Sequence, residues 1–284
     1  MIKVFKNAEE LSSSISGFKS KVKTIGFVPT MGALHDGHLK LVKKAKKEND
    51  ITIVSIFVNP TQFNDKKDLD KYPRNLEDDL LKLMPTHVNY VYAPEVSDIY
   101  PNGMEESAAI DLGGLDEIME GAFRPGHFKG VAQVVKRLLD IVQPDHLYMG
   151  QKDFQQFTII AHIIRKLSID TNLVVCPIVR EKNGLAMSSR NVRLSPETRA
   201  AAGMIYKTLK YVKKQVLTKP VEVVKSQALR KLKTGPFDPE YLEIVDAHTL
   251  QSVVDFSQHE YVVACTVVRA EGVRLLDNII LKKA

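Results

Sequence analysis

The sequence predicts an α/β protein, in which a doubly wound parallel Rossmann-like sheet is followed by a smaller C-terminal α+β domain. Two observations give this prediction. Strand and helix signals alternate through the first 176 residues, as is typical of parallel strands joined by crossover helices. After Arg193 the pattern changes to long amphipathic helices and then to three strand-like runs. We therefore expect two domains, residues 1–176 and 177–284, which fits a length prior of about 150 residues per domain.

The first predicted element is an apolar strand around Val28, which runs into a glycine-containing turn and a basic helix near His38. The next elements are predicted in chain order as strand 51–58, helix 76–84, strand 88–93, helix 130–142, strand 146–150, helix 153–167 and strand 173–177. Ligands of doubly wound sheets bind beyond the carboxyl ends of the strands. The turns at Met31, Asn59 and Gly150 are therefore expected to converge on one crevice.

The second domain is expected to begin with one long helix over 195–217. Ser195 is placed to cap it and Pro196 to occupy its first position. A helix over 221–232 follows, and then strands over 241–246, 261–269 and 273–281. The Glu271-Gly272 pair between the last two strands predicts a hairpin turn.

Composition limits the classes of protein. Hydrophobic residues make up 44% of the chain and charged residues 26%, which is ordinary for a soluble globular protein. The N-terminal segment has scattered charges and no apolar core of a signal peptide, and no run approaches the roughly 18 apolar residues of a membrane span. We therefore expect a cytoplasmic protein. Cys176 and Cys265 each lie in an apolar run and are predicted to be buried free thiols.

The net charge of +6 suits a protein that handles anions. Charge alone does not show whether the anion that the protein binds is a nucleic acid, a nucleotide or a small carboxylate. No stretch combines aromatic residues with a dense basic cluster, as single-strand binders do, so small anions are the better interpretation.

The segment 24–41, TIGFVPTMGALHDGHLKL, has the layout of a phosphate-binding loop. Gly32 and Gly37 let the backbone approach a ligand, and the start of the helix offers unpaired N–H groups and a positive dipole end. His35 and His38 are three residues apart, so both side chains are expected to reach one triphosphate. The alternative, a zinc site, is disfavoured because no cysteine or third ligand lies nearby. The lysines that follow are interpreted as the solvated face of an amphipathic helix.

Four further segments carry candidate site residues: FVNPTQF at 57–63, EGAFRPGHFKG at 120–130, MGQKDFQQF at 149–157 and EKNGLAMSSRN at 181–191. Each supplies amides, hydroxyls or cations to a loop at the end of a predicted strand or before a helix. None is specific alone, because most polar loop residues are only solvated. As a set they are expected to face the same cleft.

The set PTMGALHDGH, FVNPTQF, RPGHFKGV, GQKDFQQ and LAMSSRN resembles the pantothenate synthetase (pantoate–β-alanine ligase) family over nearly the whole chain. HDGH stands in the place of the HIGH-type signature of the nucleotidyltransferase superfamily, and MSSR in that of the second signature, with Arg190 supplying the cation. The resemblance implies a ligase that joins pantoate to β-alanine through a pantoyl adenylate and releases AMP and pyrophosphate. It also implies Mg²⁺ accompanying ATP as a substrate, and a homodimer with no nucleic-acid or membrane partner.

The resemblance further implies roles for individual residues. Those implied to bind ATP are Met31, Gly32, Ala33, Leu34, His35, Asp36, Gly37, His38, Gly150, Gln151, Lys152, Asp153, Val179, Met187, Ser188, Ser189 and Arg190. Of these, the residues implied in catalysis are His38, His35, Lys152 and Arg190, with His38 the first choice. Those implied to bind pantoate and β-alanine are Gln62 and Gln156, with Asn59 and Tyr72 lining the same pocket. Gln151 stands where relatives often carry Glu.

Two acidic residues, Asp78 and Asp79, match positions linked to magnesium in the family. The sequence pattern alone predicts both on the exposed side of the helix over 76–84. The second domain is expected to act as a lid that excludes water from the adenylate, with the loop over 181–191 on its hinge side.

Two other functions remain open. One is a nucleotidyltransferase of the same superfamily that acts on a phosphorylated acceptor. Gln62 and Gln156 argue against it, because neutral amides suit hydroxyl and carboxylate groups, whereas a phosphorylated acceptor favours a basic cluster. The other is an RNA-binding module on a synthetase-like core, which only the positive charge favours.

Overall fold

The computed structural model describes residues 2–19, 23–104 and 110–283. The strands in these ranges are β1 Lys3–Phe5, β2 Ile25–Thr30, β3 Ile51–Ile56, β4 Tyr90–Tyr92, β5 His146–Gly150, β6 Asn172–Cys176, β7 Asp238–Asp246, β8 Tyr261–Ala270 and β9 Val273–Lys283. The helices are α1 Ala8–Lys19, α2 Asp36–Glu48, α3 Lys66–Asp70, α4 Leu76–Leu83, α5 Val96–Ile99, α6 Glu120–Phe123, α7 His127–Val142, α8 Phe154–Lys166, α9 Pro196–Ala201, α10 Met204–Gln215 and α11 Val221–Leu232.

The chain divides into two compact units. The first consists of Met1–Gly150 with Ile159–Cys176, and the second of Gln151–Thr158 with Pro177–Ala284. The loop that follows β5 therefore belongs with the C-terminal part of the chain, although it is separated from that part in sequence.

The first unit contains a six-stranded sheet in the order β1-β4-β3-β2-β5-β6, in which every neighbouring pair is parallel. The central strands β2 and β3 are almost entirely buried, as their apolar runs predict. The strands β3 and β4 lie on one side of β2, and β5 and β6 lie on the other side. The direction in which strands are added therefore reverses at β2. The predicted doubly wound sheet is confirmed, and its switch point lies at the carboxyl end of β2.

The edge strand β1 was missed by the sequence interpretation. It has only three residues, KVF, of which Lys3 and Val4 are exposed and only Phe5 is buried. Such a run is too short and too mixed in polarity to show a period of two.

The second unit contains the antiparallel sheet β7-β8-β9, against which α10 and α11 pack. Its core is mainly aliphatic and includes Ile205, Leu209, Val224 and Val262. The hairpin between β8 and β9 is confirmed: Ala270 pairs with Val273, and the two turn residues between them have positive φ.

The prediction of a single helix over 195–217 is wrong. The chain forms two helices there, α9 and α10, with a break at Ala202 and Gly203. Gly203 approaches the backbone of Asn183 so closely that a Cβ there would lie 2.3 Å from the Asn183 carbonyl oxygen. The predicted start is confirmed, since the Ser195 side chain accepts a hydrogen bond from the Thr198 N–H and Pro196 opens α9.

Both cysteines are buried free thiols, as expected. Burial raises the pKa of each thiol, so neither is a ready nucleophile. None of the helices in the described ranges has both the length and the apolar character needed to cross a bilayer.

Candidate active site

The loop between β2 and α2 lies at the switch point of the sheet. Gly32 and Ala33 both have positive φ, of 78° and 48°. The Thr30 hydroxyl donates to the Ser55 carbonyl oxygen at 2.7 Å and accepts from the Gly32 N–H at 3.2 Å. The loop therefore has one tight, hydrogen-bonded conformation, in which its glycine occupies a left-handed position that disfavours other residues.

His35 and His38 form a reciprocal cap at the start of α2. His35 is the N-cap, and its Nδ1 accepts from the Gly37 N–H at 3.1 Å; His38 Nδ1 accepts from the His35 N–H at 3.4 Å. This is the geometry of a capping box with imidazoles in place of the usual hydroxyl and carboxylate. The two ring centroids are 4.1 Å apart. The helix thus begins at Asp36, two residues before His38.

The cap determines the tautomer of both rings. Because each Nδ1 accepts a backbone N–H, the proton of each neutral imidazole is on Nε2. With this tautomer, each of the two neighbouring rings carries an Nε2–H donor at the positive end of α2. This arrangement suits an anion with several oxygens, such as a polyphosphate.

Asp79 was predicted on the exposed side of α4, and that prediction is wrong. Its side chain is 1% exposed, and its Oδ2 and Oδ1 accept the N–H groups of Ala33 and Leu34 at 2.9 and 2.7 Å. Asp78 is exposed, as predicted, and its Oδ2 accepts from the Asn75 side-chain amide at 2.7 Å.

The two aspartates do not fit a pair of magnesium ligands. The carboxylate of Asp79 is engaged by loop amides, and that of Asp78 lies on the solvated face of α4 against Asn75. Among the described residues no group of three His, Cys, Asp or Glu side chains is arranged to hold a metal ion.

The turn after β3 brings Asn59 and Gln62 to the same end of the sheet. Asn59 is 1% exposed: its Nδ2 donates to the Gly130 carbonyl at 3.1 Å, and its Oδ1 accepts from the Tyr100 hydroxyl at 2.8 Å. Burial raises the pKa of Tyr100, so the phenol remains a donor. Gln62 Nε2 lies 2.6 Å from Met31 Sδ, which joins this turn to the loop after β2.

The backbone of Gln62 is held by residues to which the sequence interpretation gave no role. Its carbonyl oxygen accepts from His127 Nδ1 at 2.7 Å and from Arg124 Nη2 at 3.1 Å. Gly130 on α7 packs against the same turn, and a Cβ there would be 2.4 Å from the Thr61 carbonyl oxygen. The RPGHFKG segment is therefore a support for Gln62. Tyr72, the other predicted pocket residue, is buried and packs edge-on against Phe63.

The second unit carries the remaining predicted site residues in two segments. In the first, 151–156, the Asn278 Nδ2 donates to the carbonyl oxygens of Gln151 and Lys152 at 2.9 and 3.0 Å. Gln151 Nε2 donates back to Asn278 Oδ1 at 3.0 Å. Lys152 Nζ forms an ion pair with Asp153 at 3.1 Å. Gln156 is half-buried on the first turns of α8.

Asn278 was not predicted from sequence. The only signal is a polar pair, Asp277-Asn278, between the apolar residues of the run LLDNIIL at 275–281. Asp277 is also buried and accepts both Nη atoms of Arg180, at 2.6 and 2.9 Å. Burial raises the pKa of Asp277, whereas Arg180 acts in the opposite direction. The pair fixes the strand next to Asn278.

The second segment, 179–191, is an ordered loop. Met187 N–H donates to the Val179 carbonyl oxygen at 2.9 Å, so these two predicted residues are neighbours. The buried Asn191 donates to Glu181 Oε1 at 2.8 Å and to the Ala186 carbonyl oxygen at 3.0 Å. Residues 187–190 are all half-buried, which leaves part of each side chain accessible.

Comparison with known proteins identifies close relatives. The pantoate-beta-alanine ligase family matches residues 3–280. A pantothenate synthetase of Azobacteroides pseudotrichonymphae is 47% identical over 280 residues, which are 98% of this chain and 99% of that protein. A pantothenate synthetase of Bacteroides fragilis is 45% identical over the full length of both chains, 284 residues.

Two solved structures of proteins with the same names are similar to this chain over nearly its whole length. The pantothenate synthetase of Thermus thermophilus has a TM-score of 0.92 at 38% identity and covers 99% of this chain and 100% of its own. A pantoate-beta-alanine ligase of Francisella tularensis, complexed with beta-gamma ATP and beta-alanine, has a TM-score of 0.82 at 34% identity, with 100% and 99% of the two chains covered.

Proposed function

Because the chain belongs to the pantoate-beta-alanine ligase family, we propose that it condenses pantoate with β-alanine to form pantothenate while ATP is cleaved to AMP and pyrophosphate. The family match and relatives of equal length support the whole reaction. The Francisella tularensis relative supports ATP and β-alanine as substrates. Neither the family match nor the relatives named above support a phosphorylated acceptor or an RNA-binding role.

The observation that carries the proposal is the pair of imidazoles at the start of α2. Their Nε2–H groups lie at a helix N-terminus and next to a tight glycine loop, which is a favourable place for phosphate oxygens. We assign ATP binding to Met31–His38 and Gly150 in the first unit. In the second unit we assign it to Gln151–Asp153, Val179 and Met187–Arg190.

In the first step, a carboxylate oxygen of pantoate attacks the α-phosphorus of ATP, and the bond from that phosphorus to the bridging oxygen of pyrophosphate breaks. An anion approaches a polyanion, so the barrier is mostly electrostatic. Donors that are fixed before the reaction lower it most. His35, His38, Lys152 and Arg190 are proposed for this role, with His38 as the principal catalytic residue.

In the second step, the amine of β-alanine attacks the acyl carbon of pantoyl adenylate. The bond from that carbon to the AMP oxygen breaks, AMP leaves, and the amine loses a proton. Gln62 and Gln156 are proposed to hold pantoate, with Gln62 also near β-alanine. Asn59 and Tyr72 line the pocket in this proposal. Because Asn59 is buried and its amide is hydrogen-bonded to protein, it supports Gln62 more than it offers new donors.

Mg²⁺ is proposed to enter with ATP and to screen the phosphate charges. Asp78 and Asp79 do not fit as its ligands, so no protein ligand is assigned to it. A cytoplasmic homodimer is proposed on the resemblance to the family, and light scattering on the purified protein tests the oligomeric state.

Isotope exchange tests the proposed function. With pantoate present and β-alanine absent, label from pyrophosphate should appear in ATP, because adenylate formation is reversible. Addition of β-alanine should then release AMP in amounts equal to pantothenate. Exchange that is the same with and without pantoate would contradict the substrate assignment.

Gly130→Ala is expected to weaken pantoate binding and to destabilise the protein by about 1–3 kcal/mol. The new methyl group would lie 2.4 Å from the Thr61 carbonyl oxygen and 2.8 Å from the Gln62 backbone nitrogen, so the backbone of this turn would have to shift. The KM for pantoate and the melting temperature measure the two effects. Gly17→Ala is the matched control, because a Cβ at that helical glycine meets nothing within 4 Å. An unchanged KM for pantoate in Gly130→Ala would contradict the support role of α7.

Amide hydrogen exchange at Met187–Arg190 is expected to slow when ATP and pantoate are both bound. The half-buried loop over 179–191 is proposed to help exclude water from the adenylate, as expected of a lid. Mass spectrometry of peptic fragments measures the exchange, and the fragment over 221–232 serves as an internal reference. Equal exchange with and without the two substrates would rule out this role.

A further inference from the structure

Asp79 is a buried carboxylate whose charge faces the loop between β2 and α2. It is 1% exposed, and its two oxygens accept the consecutive N–H groups of Ala33 and Leu34 at 2.9 and 2.7 Å. No cation among the described residues forms an ion pair with it. A buried charge is costly unless donors satisfy it, so these two amides are strongly held.

The backbone of the loop also lies close to the Asp79 carboxylate at Gly32. A Cβ on Gly32 would lie 2.8 Å from Asp79 Oδ2, so the carboxylate packs directly against the glycine backbone. Ala33 has a φ of 48°, a left-handed conformation that costs free energy for a residue with a Cβ. Two charge-assisted hydrogen bonds offset that cost. The next residue after Leu34 is His35, the N-cap of α2.

We propose that Asp79 is a positioning residue for ATP: it holds residues 32–34 in their left-handed turn and thereby fixes the two imidazoles of the capping box. This inference rests on the proposed ATP-binding function of the loop. It has one direct consequence. The Ala33 and Leu34 amides serve Asp79, so the phosphate donors of this segment are the imidazole Nε2 groups and the first turn of α2.

The first test is ATP binding by Asp79→Asn. Asparagine has nearly the same shape, but its NH₂ group would face a backbone N–H, so one charge-assisted bond is lost. Isothermal titration calorimetry with a non-hydrolysable ATP analogue should show binding weaker by roughly ten- to a hundredfold. Glu77→Gln is the matched control, because it removes the same charge from an exposed residue in the same turn of α4. Its affinity should equal that of the wild type.

Two further readouts separate positioning from a general loss of structure. A misfolded fraction that does not refold lowers the number of binding sites without changing the Kd, whereas a displaced loop changes the Kd. Reversible unfolding would also raise the apparent Kd, so the titration is made well below the melting temperature of the variant. In the wild-type protein, the Ala33 and Leu34 amides should be protected from hydrogen exchange before the nucleotide is added, and to the same degree afterwards. This second measurement remains decisive if Asp79→Asn does not fold.

An unchanged Kd in Asp79→Asn would overturn the inference, as would Ala33 and Leu34 amides that become protected only when nucleotide binds. Either result leaves the pantoate-dependent isotope exchange of the wild type unaffected. Conversely, absence of that exchange with the expected Kd change would overturn the proposed reaction and keep Asp79 as a positioning residue for ATP.

Discussion

His38→Ala should slow formation of the acyl adenylate by about a hundredfold or more. The substitution removes the Nε2–H donor, which is fixed in place before the substrate arrives because Nδ1 of the same ring caps α2. A donor that is already oriented stabilises the charge that develops on the phosphoryl oxygens without reorganising. Rapid-quench measurement of adenylate in a single turnover isolates this step from the second one.

Two amide variants distinguish the catalytic donor from the helix cap. In His38→Asn, the side-chain oxygen can take the place of Nδ1 and accept the His35 N–H, but nothing replaces Nε2. In His38→Gln, the amide nitrogen reaches further, towards the Nε2 position. We expect His38→Asn to keep the wild-type melting temperature but to lose the rate of adenylate formation. We expect His38→Gln to recover part of that rate. A near-normal single-turnover rate in His38→Ala would refute the role of this residue.

Lys152→Ala should also lower the adenylation rate, by about a hundred- to a thousandfold. The backbone at Lys152 is fixed by Asn278, and its ammonium group is held by Asp153, so the charge is presented from an ordered loop. In the proposed site, its loss removes one cation that stabilises the charge developing on the phosphoryl oxygens. Single-turnover kinetics with saturating ATP should show the loss mainly in the rate.

Lys152→Arg and Lys213→Ala are the controls for this prediction. Arginine keeps the charge but not its compact shape, so an intermediate rate is expected. Lys213 is exposed on α10, and its replacement lowers the net charge of the protein by the same amount. If Lys152→Ala and Lys213→Ala have the same rate, the positive charge acts only through the overall field and Lys152 has no specific role.

The sequence predicted the parallel sheet well because its central strands are buried on both faces. Runs such as ITIVSI at 51–56 are apolar throughout, and their spacing with amphipathic helices admits few other folds. Some elements escaped prediction: β1 has three residues, the 12-residue α1 was missed, and the helix expected over 195–217 is broken where Gly203 packs against Asn183. A break of that kind depends on a neighbour 20 positions away, which no local period reveals.

In the candidate site, too, the features that depend on residues distant in sequence escaped prediction. Its signature residues could be found because Gly32, His35 and His38 lie within one short segment between a predicted strand and a predicted helix. The role of Asp79 could not be found, because its partners Ala33 and Leu34 are 46 and 45 residues away. The helix period alone assigns Asp79 to the exposed face of α4. Asn278 supports a loop from 126 or more residues away. The supports of a site are contacts across the fold, and their sequence signal is only a polar residue where an apolar one is expected.

In the proposed reaction, the carboxylate of pantoate is activated when one of its oxygens forms a bond to the α-phosphorus of ATP. Pantoate labelled with ¹⁸O in its carboxylate tests the claim most directly, with the phosphorus products analysed by mass spectrometry after complete reaction with β-alanine. We expect one ¹⁸O atom in the phosphate of AMP and none in pyrophosphate. AMP without label, or label in pyrophosphate, would contradict it.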